Sequence, residues 1–533
     1  MRASVLVFFA VLFTFHWQSS TLNPELDESF ALKLSAASPL VKAINVHEAA
    51  ALVSTTRPEA RPQSGFLPLI MGSDAFEARV ALIESAVTSL DLQYYIWHRD
   101  RTGMALWSKV LNAAERGVRV RLLLDDMNLG KDRSFLAQLD RHPNIEIRLY
   151  NPTSSDGTGL GAIGRNLQII FDFDQMNHRM HNKVLVADES FAIVGGRNIG
   201  DEYFDLKRDK NFRDLDMLAA GKVCKEFSRE FDAFWSSAVT FGLKEDGNVL
   251  ATARSDEWAA IRKTLNLEQK SKVTTVLLNQ PKPGAAPVTV GSLSKQLIWA
   301  PAKAVFDSPQ GDAQKKQLED ELRKVPEAKR EFLIESAYFI PPKNFLKQVG
   351  NLSKKGVKVR ILTNSLMSND VLIAHAGYSN KREAVLSSGA ELYEWRNSFV
   401  KVETVKREGV YASRAGLHSK TFVVDRRYLF VGSMNLDPRS IRLNTESGLL
   451  IESPELADEV GRFIEDGMSP KTSWKVTMTC KERPCQTGEK SDGLQWTGER
   501  DGSLQTLRQE PDASFWKRFL TNGLSLLPIE DKL

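Results

Sequence analysis

Two stretches of this chain carry the same polar residues at the same spacing: His181, Lys183 and Asp188 in one, His418, Lys420 and Asp425 in the other. Both read His-x-Lys-x4-Asp. Each is followed by an apolar run and a glycine-bearing turn that ends in asparagine, Asn198 after Gly195 and Gly196, and Asn435 after Gly432. An imidazole titrates near neutral pH and can serve as nucleophile or as acid and base, while a lysine ammonium holds a phosphate oxygen as a point charge. Two such pairs are the makings of a phosphoryl-transfer site. One copy of so short a pattern arises by composition in a surface strand; two copies with the same trailer are a motif.

The residues between histidine and aspartate indicate how the pairs are positioned. Residues 184–187 and 421–424 are short, apolar and rich in β-branched side chains, so each copy is expected to be a strand. Side chains alternate faces along a strand, so the histidine and the lysine two residues on point the same way. Upstream, the periodicity predicts a helix over 74–87, a strand over 90–97, a helix over 103–116 and a strand over 117–124. The second half repeats this with a strand over 332–340, a helix over 342–355 and a strand over 356–362. From Gly117 to His181 is 64 residues and from Gly356 to His418 is 62, which describes one duplicated α/β unit with an active site between the copies.

At 533 residues the chain exceeds one ordinary core, and its 42% hydrophobic and 26% charged content is that of a globular protein. Lys+Arg 71 against Asp+Glu 67 leaves a net charge of only +4, weak support for a polyanionic partner such as nucleic acid. No cluster of Cys and His has metal-ligand spacing. Cys480 and Cys485 flank a turn-like segment and can form one disulfide outside the cytoplasm or stand as two thiols. Arg2 precedes an apolar run over 5–15 that suits a signal-peptide core or a short anchor; the poor cleavage site after it favours an anchor. Arg2 ahead of the run and Glu25, Asp27 and Glu28 behind it place the N-terminus inside, with the body facing the periplasm.

The expected organisation is a signal or anchor over 1–22, a linker over 23–65, a first lobe over 66–235, an irregular connection over 236–294 that includes the Pro-rich 279–287, a second lobe over 295–466, and an extension over 467–533. In that extension Phe515, Trp516, Phe519 and Leu520 beside Lys517 and Arg518 suit either an interfacial segment that dips into lipid or packing against a lobe.

The duplicated motif resembles the phospholipase D superfamily over roughly residues 66–466. Closer in, Leu92–Trp97, Arg116–Asp126, Met180–Lys183, Val194–Asp201, Asn369–Val371, His375–Tyr378, Leu436–Ser440 and Ser514–Arg518 resemble the bacterial cardiolipin synthases of the C type. The resemblance implies an α/β fold of two pseudo-symmetric phospholipase D-type α/β/α lobes with one shared active site that needs no metal or nucleotide cofactor. It implies that His181 attacks phosphorus and His418 serves as acid and base, although the near-symmetry of the copies leaves that order open. By the same resemblance Lys183, Lys420, Asn198 and Asn435 hold the phosphate oxygens. Asp216 and Glu446 each support the opposite lobe's histidine, and Asp188 and Asp425 complete the catalytic motif while closing turns. His178 is expected at a polar edge, and His375 with Tyr378 along the lipid-facing approach. The implied reaction is a phosphatidyl transfer onto phosphatidylglycerol at a bacterial inner membrane. The second phospholipid is phosphatidylglycerol or phosphatidylethanolamine, and no nucleic-acid partner is expected. The same site with water as acceptor would be a phospholipase D-type phosphodiesterase, a lipid hydrolase or an envelope nuclease.

Overall fold

The computed structural model describes residues 38–44, 63–129, 132–152, 178–207, 209–243, 255–269, 288–309, 316–396, 414–480, 483–484 and 491–525. The apolar N-terminal run, the 279–287 connection and Cys485 lie outside these residues. In chain order the first half gives β1 (Ser64–Leu69), α1 (Gly72–Ser85), β2 (Ser89–Tyr94), α2 (Arg101–Glu115), β3 (Arg119–Asp125), β4 (Ile145–Tyr150), β5 (Lys183–Ala187), β6 (Phe191–Gly195), β7 (Lys210–Arg213), β8 (Asp216–Gly221), α3 (Lys222–Trp235) and β9 (Thr240–Gly242). The second half gives β10 (Ile298–Ala300), β11 (Ala302–Phe306), β12 (Glu331–Ser336), α4 (Lys343–Lys354), β13 (Lys358–Asn364), α5 (Leu372–Ser379), β14 (Glu391–Trp395), β15 (Arg414–Leu417), β16 (Lys420–Val424), β17 (Tyr428–Gly432), α6 (Pro438–Arg442), β18 (Ser447–Glu452) and α7 (Pro454–Gly467). A tail follows with β19 (Ser473–Cys480), β20 (Arg483–Pro484), β21 (Gly493–Arg500), β22 (Ser503–Leu507) and α8 (Phe515–Ser525).

Two sheets result, and their cores are the same motif used twice. One runs β1-β8-β6-β5-β2-β3-β4 and the other β11-β18-β17-β16-β12-β13-β14. In both, a parallel trio (β2-β3-β4, β12-β13-β14) joins an antiparallel remainder through the strand that carries the motif. The helices α2 and α4 stop where expected, because Gly117 and Gly356 take φ of +96° and +82°, a left-handed turn in which other residues are strained.

Alternation along the strands sorts the apolar side chains. Val184 and Val186 of β5 face a core that they share with Val423 of β16 and Leu429 and Val431 of β17, while Leu185 and Ala187 face the first lobe's own helices. Phe227 of α3 and Val460 of α7 enter the same shared core. The lobes are therefore fused through a common hydrophobic layer rather than hinged.

Several elements cross the expected boundaries. β10, where the second lobe was expected to open, pairs with β1 in the first sheet, and β11 starts the second sheet only after Pro301. The extension is not separate either: β19 pairs with β14 and carries β20 and β21, so it widens the second sheet. Cys480, at the end of β19, is disulfide-bonded, and Cys224 is a buried free thiol. Part of the expected linker is docked: Leu40 and Ile44 are buried in the first lobe's core.

Asp188 and Asp425 close the far ends of the motif strands at φ of 49° and 53°. Asp188 accepts from the N–H groups of Val87, Thr88 and Ser89 at 3.0, 2.8 and 2.9 Å and from the Ser38 hydroxyl at 2.6 Å. Asp425 accepts from the N–H groups of Lys329, Arg330 and Glu331 at 2.8, 2.8 and 3.0 Å. Each aspartate thus ties its strand to the segment entering β2 or β12. Seven residues of extended chain, about 20 Å, separate each from its histidine. Asp188→Ala leaves three N–H groups without an acceptor, so it is expected to lower unfolding free energy by about 3 kcal/mol while the folded fraction keeps its activity. Denaturant unfolding alongside an activity assay checks this.

Candidate active site

The lobes trade backbone at the site. The His181 N–H donates to the Thr445 carbonyl at 3.0 Å, and the Thr445 N–H donates to the Arg179 carbonyl at 2.9 Å. On the other side β15 runs parallel to β7, and the His418 N–H donates to the Arg213 carbonyl at 2.8 Å. The residues that follow Thr445 and Arg213 are carboxylates, and this ladder delivers them to the opposite imidazoles. Glu446 Oε2 lies 2.9 Å from His181 Nδ1, and Asp214 Oδ2 lies 2.6 Å from His418 Nδ1. All four side chains are buried. With Nδ1 engaged by a carboxylate, the proton sits there and the reactive lone pair is on Nε2.

The partner of His418 is therefore Asp214, not the expected Asp216. Register explains the difference. Asp216 stands opposite Gly195 and Gly448 opposite Gly432, so the residue equivalent to Glu446 is two positions before Asp216. Asp216 instead receives Arg79 at 2.8 Å and the Arg197 N–H at 3.1 Å, a structural ion pair among buried groups. Aligning the apolar strands after each carboxylate, Met217 onto Leu449, is the sequence signal that separates the two aspartates. The turns differ to match. Ser433 donates its hydroxyl to Glu446, whereas a Cβ at the equivalent Gly196 would sit 2.1 Å from Asp214 Oδ1.

Lys183 and Lys420 lie with their histidines, and each ammonium donates to the carbonyl of its own histidine. Burial pushes the Lys183 ammonium well below its ordinary value and lowers that of Lys420. Burial also takes the His181 imidazole down to about 4, aided by Lys183 and Lys420 and opposed by Glu446. Burial and then Lys420 hold His418 below its ordinary value against the pull of Asp214. Against the upward push of burial, His418 and Lys420 keep Asp214 ionised, and His181 and Lys183 do the same for Glu446. Each motif feels the other's lysine, so the two copies make one electrostatic site. A phosphodiester anion placed there would raise both lysines and both imidazoles towards their charged forms.

Asn198 and Asn435 are buried beside these strands. Asn198 accepts from the Ile96 N–H at 3.2 Å and donates to the Tyr203 hydroxyl at 3.1 Å, while Asn435 accepts from the Tyr338 N–H at 3.5 Å. The carbonyl of His178 accepts from Asn151. His375 does not line an approach: it is fully buried against Glu510 at 3.1 Å, Arg382 at 3.0 Å and the Tyr378 ring. Among the described residues no cluster has the composition to hold a metal ion.

Motif reading missed the aromatic walls and one buried relay. Tyr95 packs edge-on to His181 at 5.1 Å, and Tyr203 and Phe212 pack on His418 at 5.2 and 5.0 Å. Asn182, between histidine and lysine, donates to Glu230 of α3 at 2.6 Å and accepts from the Thr445 hydroxyl at 2.9 Å. Burial raises Glu230 to about 8, so this carboxyl is largely protonated at neutral pH and braces the Thr445–Glu446 segment without adding charge. The x of His-x-Lys carried this signal only as an asparagine in one copy and Ser419 in the other.

Comparison with known proteins places these features in context. The family described as "Cardiolipin synthase, PLD-like domain" matches this chain over residues 80–235 and 322–466. Cardiolipin synthase C of Escherichia coli (strain K12) is 37% identical over 481 residues, covering 88% of this chain and 96% of that protein. An uncharacterized protein of Helicobacter pylori (strain J99) is 33% identical over 464 residues, covering 86% of this chain and 87% of its own length. Among solved structures, phosphatidylserine synthase of Haemophilus influenzae Rd KW20 superposes with a TM-score of 0.53 over 88% of this chain and 92% of its own, at 15% identity, a likeness of fold.

Two outcomes separate the neighbouring aspartates. Asp214→Asn is expected to cut turnover by about 10³-fold or more with little loss of stability, because His418 loses the group that orients it. Asp216→Asn leaves Arg79 buried without its counter-charge and is expected to lower unfolding free energy by about 3 kcal/mol. Turnover and denaturant unfolding of both variants check the contrast. The His181 imidazole also bears on acid stability. With a folded value of about 4 against 6.5 unfolded, only the unfolded state takes up that proton as pH falls below 6.5, so stability drops until about pH 4. The drop across that window should be smaller in His181→Asn, measured by unfolding at a series of pH values.

Proposed function

The chain belongs to the cardiolipin synthase family of phospholipase D-like proteins, and we propose that it forms cardiolipin by moving a phosphatidyl group onto the glycerol hydroxyl of phosphatidylglycerol. The observation that carries this reading is the pair of buried imidazoles, each oriented at Nδ1 by a carboxylate of the other lobe, with a buried lysine beside each.

In the first half-reaction His181 Nε2 attacks phosphorus of the donor phospholipid. The P–N bond forms, the bond from phosphorus to the head-group oxygen breaks, and His418, an imidazolium in the substrate complex where Asp214 and the bound phosphodiester anion favour its charged form, gives that oxygen its Nε2 proton. In the second, His418 takes the proton of the glycerol hydroxyl, the oxygen attacks phosphorus, and the P–N bond breaks. His181 is assigned the attack by the resemblance of its motif to the family's. His418, on the shorter 2.6 Å contact to Asp214, is assigned the proton. Lys183, Lys420, Asn198 and Asn435 hold the non-bridging oxygens as charge builds on them. Phosphodiester is exchanged for phosphodiester, so no nucleotide is consumed.

The substrates make the protein a membrane-associated one. No helix among the described residues is long and apolar enough to cross a membrane. The periplasmic orientation rests on the charge bias around residues 5–15. Either phosphatidylglycerol or phosphatidylethanolamine serves as donor, releasing glycerol or ethanolamine.

Purified protein, treated with a chelator and given phosphatidylglycerol vesicles, is expected to produce cardiolipin and free glycerol in equal amounts. Adding phosphatidylethanolamine and measuring released ethanolamine identifies the donor. Phosphatidic acid as the dominant product at high lipid density would replace this reading with hydrolysis, and inhibition by the chelator would contradict the metal-free chemistry.

A further inference from the structure

An amphipathic helix ordinarily buries its apolar stripe. α8 does the reverse. Phe515, Trp516, Phe519 and Leu520 are 67%, 69%, 59% and 55% exposed, while Thr521 on the same helix is 1% exposed. The three aromatic rings lie against one another, with centroids 5.6 to 6.3 Å apart. α8 packs beside α5, and there Val371 and Ile373 are also exposed, at 38% and 37%. Packing against a lobe, one of the two readings of this segment, is thus met by the helix's polar side.

The helix is held firmly in this orientation. Arg518 donates to the Glu510 carbonyl at 3.1 Å, and Asn380 donates to the Ser525 carbonyl at 2.9 Å. The Glu510 carboxylate is locked in turn by Arg382 at 2.6 Å and His375 at 3.1 Å. His375 and Arg382 serve here as the anchor of the tail.

The platform is continuous with the active site. Lys517 lies over Met367 at 3.9 Å, and its ammonium is lowered by burial and by nearby Lys210. Lys210 lies 5.3 Å from the Phe212 ring, and Phe212 packs on His418 at 5.0 Å. Lys210, Lys517 and Arg518 therefore form a basic rim between the exposed rings and the His418 side of the cleft, with Asp370 and Asp209 beside Lys210 and Glu510 near Lys517 as the acidic groups.

We infer that α5 and α8 form a docking face for an anionic phospholipid bilayer, seating the His418 side of the cleft on the lipid surface. Exposed aromatic side chains suit the boundary between head groups and acyl chains, and a basic rim is drawn to phosphatidylglycerol. This rests on the phosphatidyltransferase reading for the lipid's identity. The device is composite: the tail supplies the rings, α5 widens the face, and the Glu510 anchor sets its angle.

The test uses the full chain, with co-sedimentation on vesicles of phosphatidylglycerol in phosphatidylcholine and on phosphatidylcholine alone. Changing Phe515, Trp516 and Phe519 together to Ser, at positions already exposed, is expected to weaken partitioning by about tenfold or more. Val371→Ser with Ile373→Ser is expected to act in the same direction. Activity on vesicles should fall more than activity on short-chain phosphatidylglycerol dispersed below its micelle concentration, and binding should weaken as salt rises. Unchanged partitioning in both variants would overturn the proposal. So would a wild-type dimer, seen by light scattering, that the Ser variants convert to monomer, since a second copy would then be the occupant. Crosslinking of Trp516 to residues 5–15 would assign the face to this chain's own apolar run instead. Vesicle binding is read without turnover, so a failure of the enzymatic reading leaves this result intact.

Discussion

Two buried contacts across the lobe boundary, Glu446 with His181 and Asp214 with His418, are the constraint around which the molecule is built. Neither lobe holds a complete reacting unit. Each supplies an imidazole and lysine on one strand and a carboxylate at the edge of another, and the carboxylate serves the partner lobe. Such contacts tolerate little displacement, because a buried carboxylate separated from its imidazole becomes an uncompensated charge. The shared hydrophobic layer between the sheets and the exchanged backbone bonds at Thr445 and Arg213 supply that rigidity. Even the strand added by Ile298–Ala300 stitches the halves, since it pairs with β1 two residues before the second sheet begins.

The same arrangement concentrates charge. Two lysines and two imidazoles are buried against two carboxylates, and burial depresses all four basic groups. A site so arranged favours an anion that brings negative charge between the lysines, and it favours a transition state in which more of that charge lies on the non-bridging oxygens. Glu230, which burial pushes towards its neutral form, braces the Asn182–Thr445 contact behind this site.

Much of this was legible in the residues. The duplicated motif, the strand at each copy and the helix stops at Gly117 and Gly356 follow from spacing, alternation and backbone freedom, which are local properties. Glu446 was placed by the family resemblance, and with no second carboxylate within two residues of it the position was unambiguous. Asp216 was misread because Asp214 stands only two residues away, and the alignment of Met217 with Leu449 that separates them is fixed by the pairing of Gly195 with Asp216 and of Gly432 with Gly448. His375 was misplaced because its partner Glu510 is 135 residues distant, and nothing local announces a buried ion pair that long in reach. The membership of β19 to β22 in the second sheet was hidden likewise, since an edge strand looks the same whether it is paired or free.

Pseudo-symmetry makes the two histidines twins in sequence, yet their surroundings differ: Ser433 fixes Glu446 on one side, and Gly196 makes room for the shorter Asp214 on the other. A division of labour between them is the centre of the account, and it is tested by incubating His181→Asn and His418→Asn with a phosphatidyl donor whose leaving group needs no protonation, then locating the adduct by mass spectrometry. A phosphatidyl group is expected on His181 in the His418→Asn protein, with no adduct in the His181→Asn protein. A phosphatidyl group on His418 in the His181→Asn protein would contradict that division of labour.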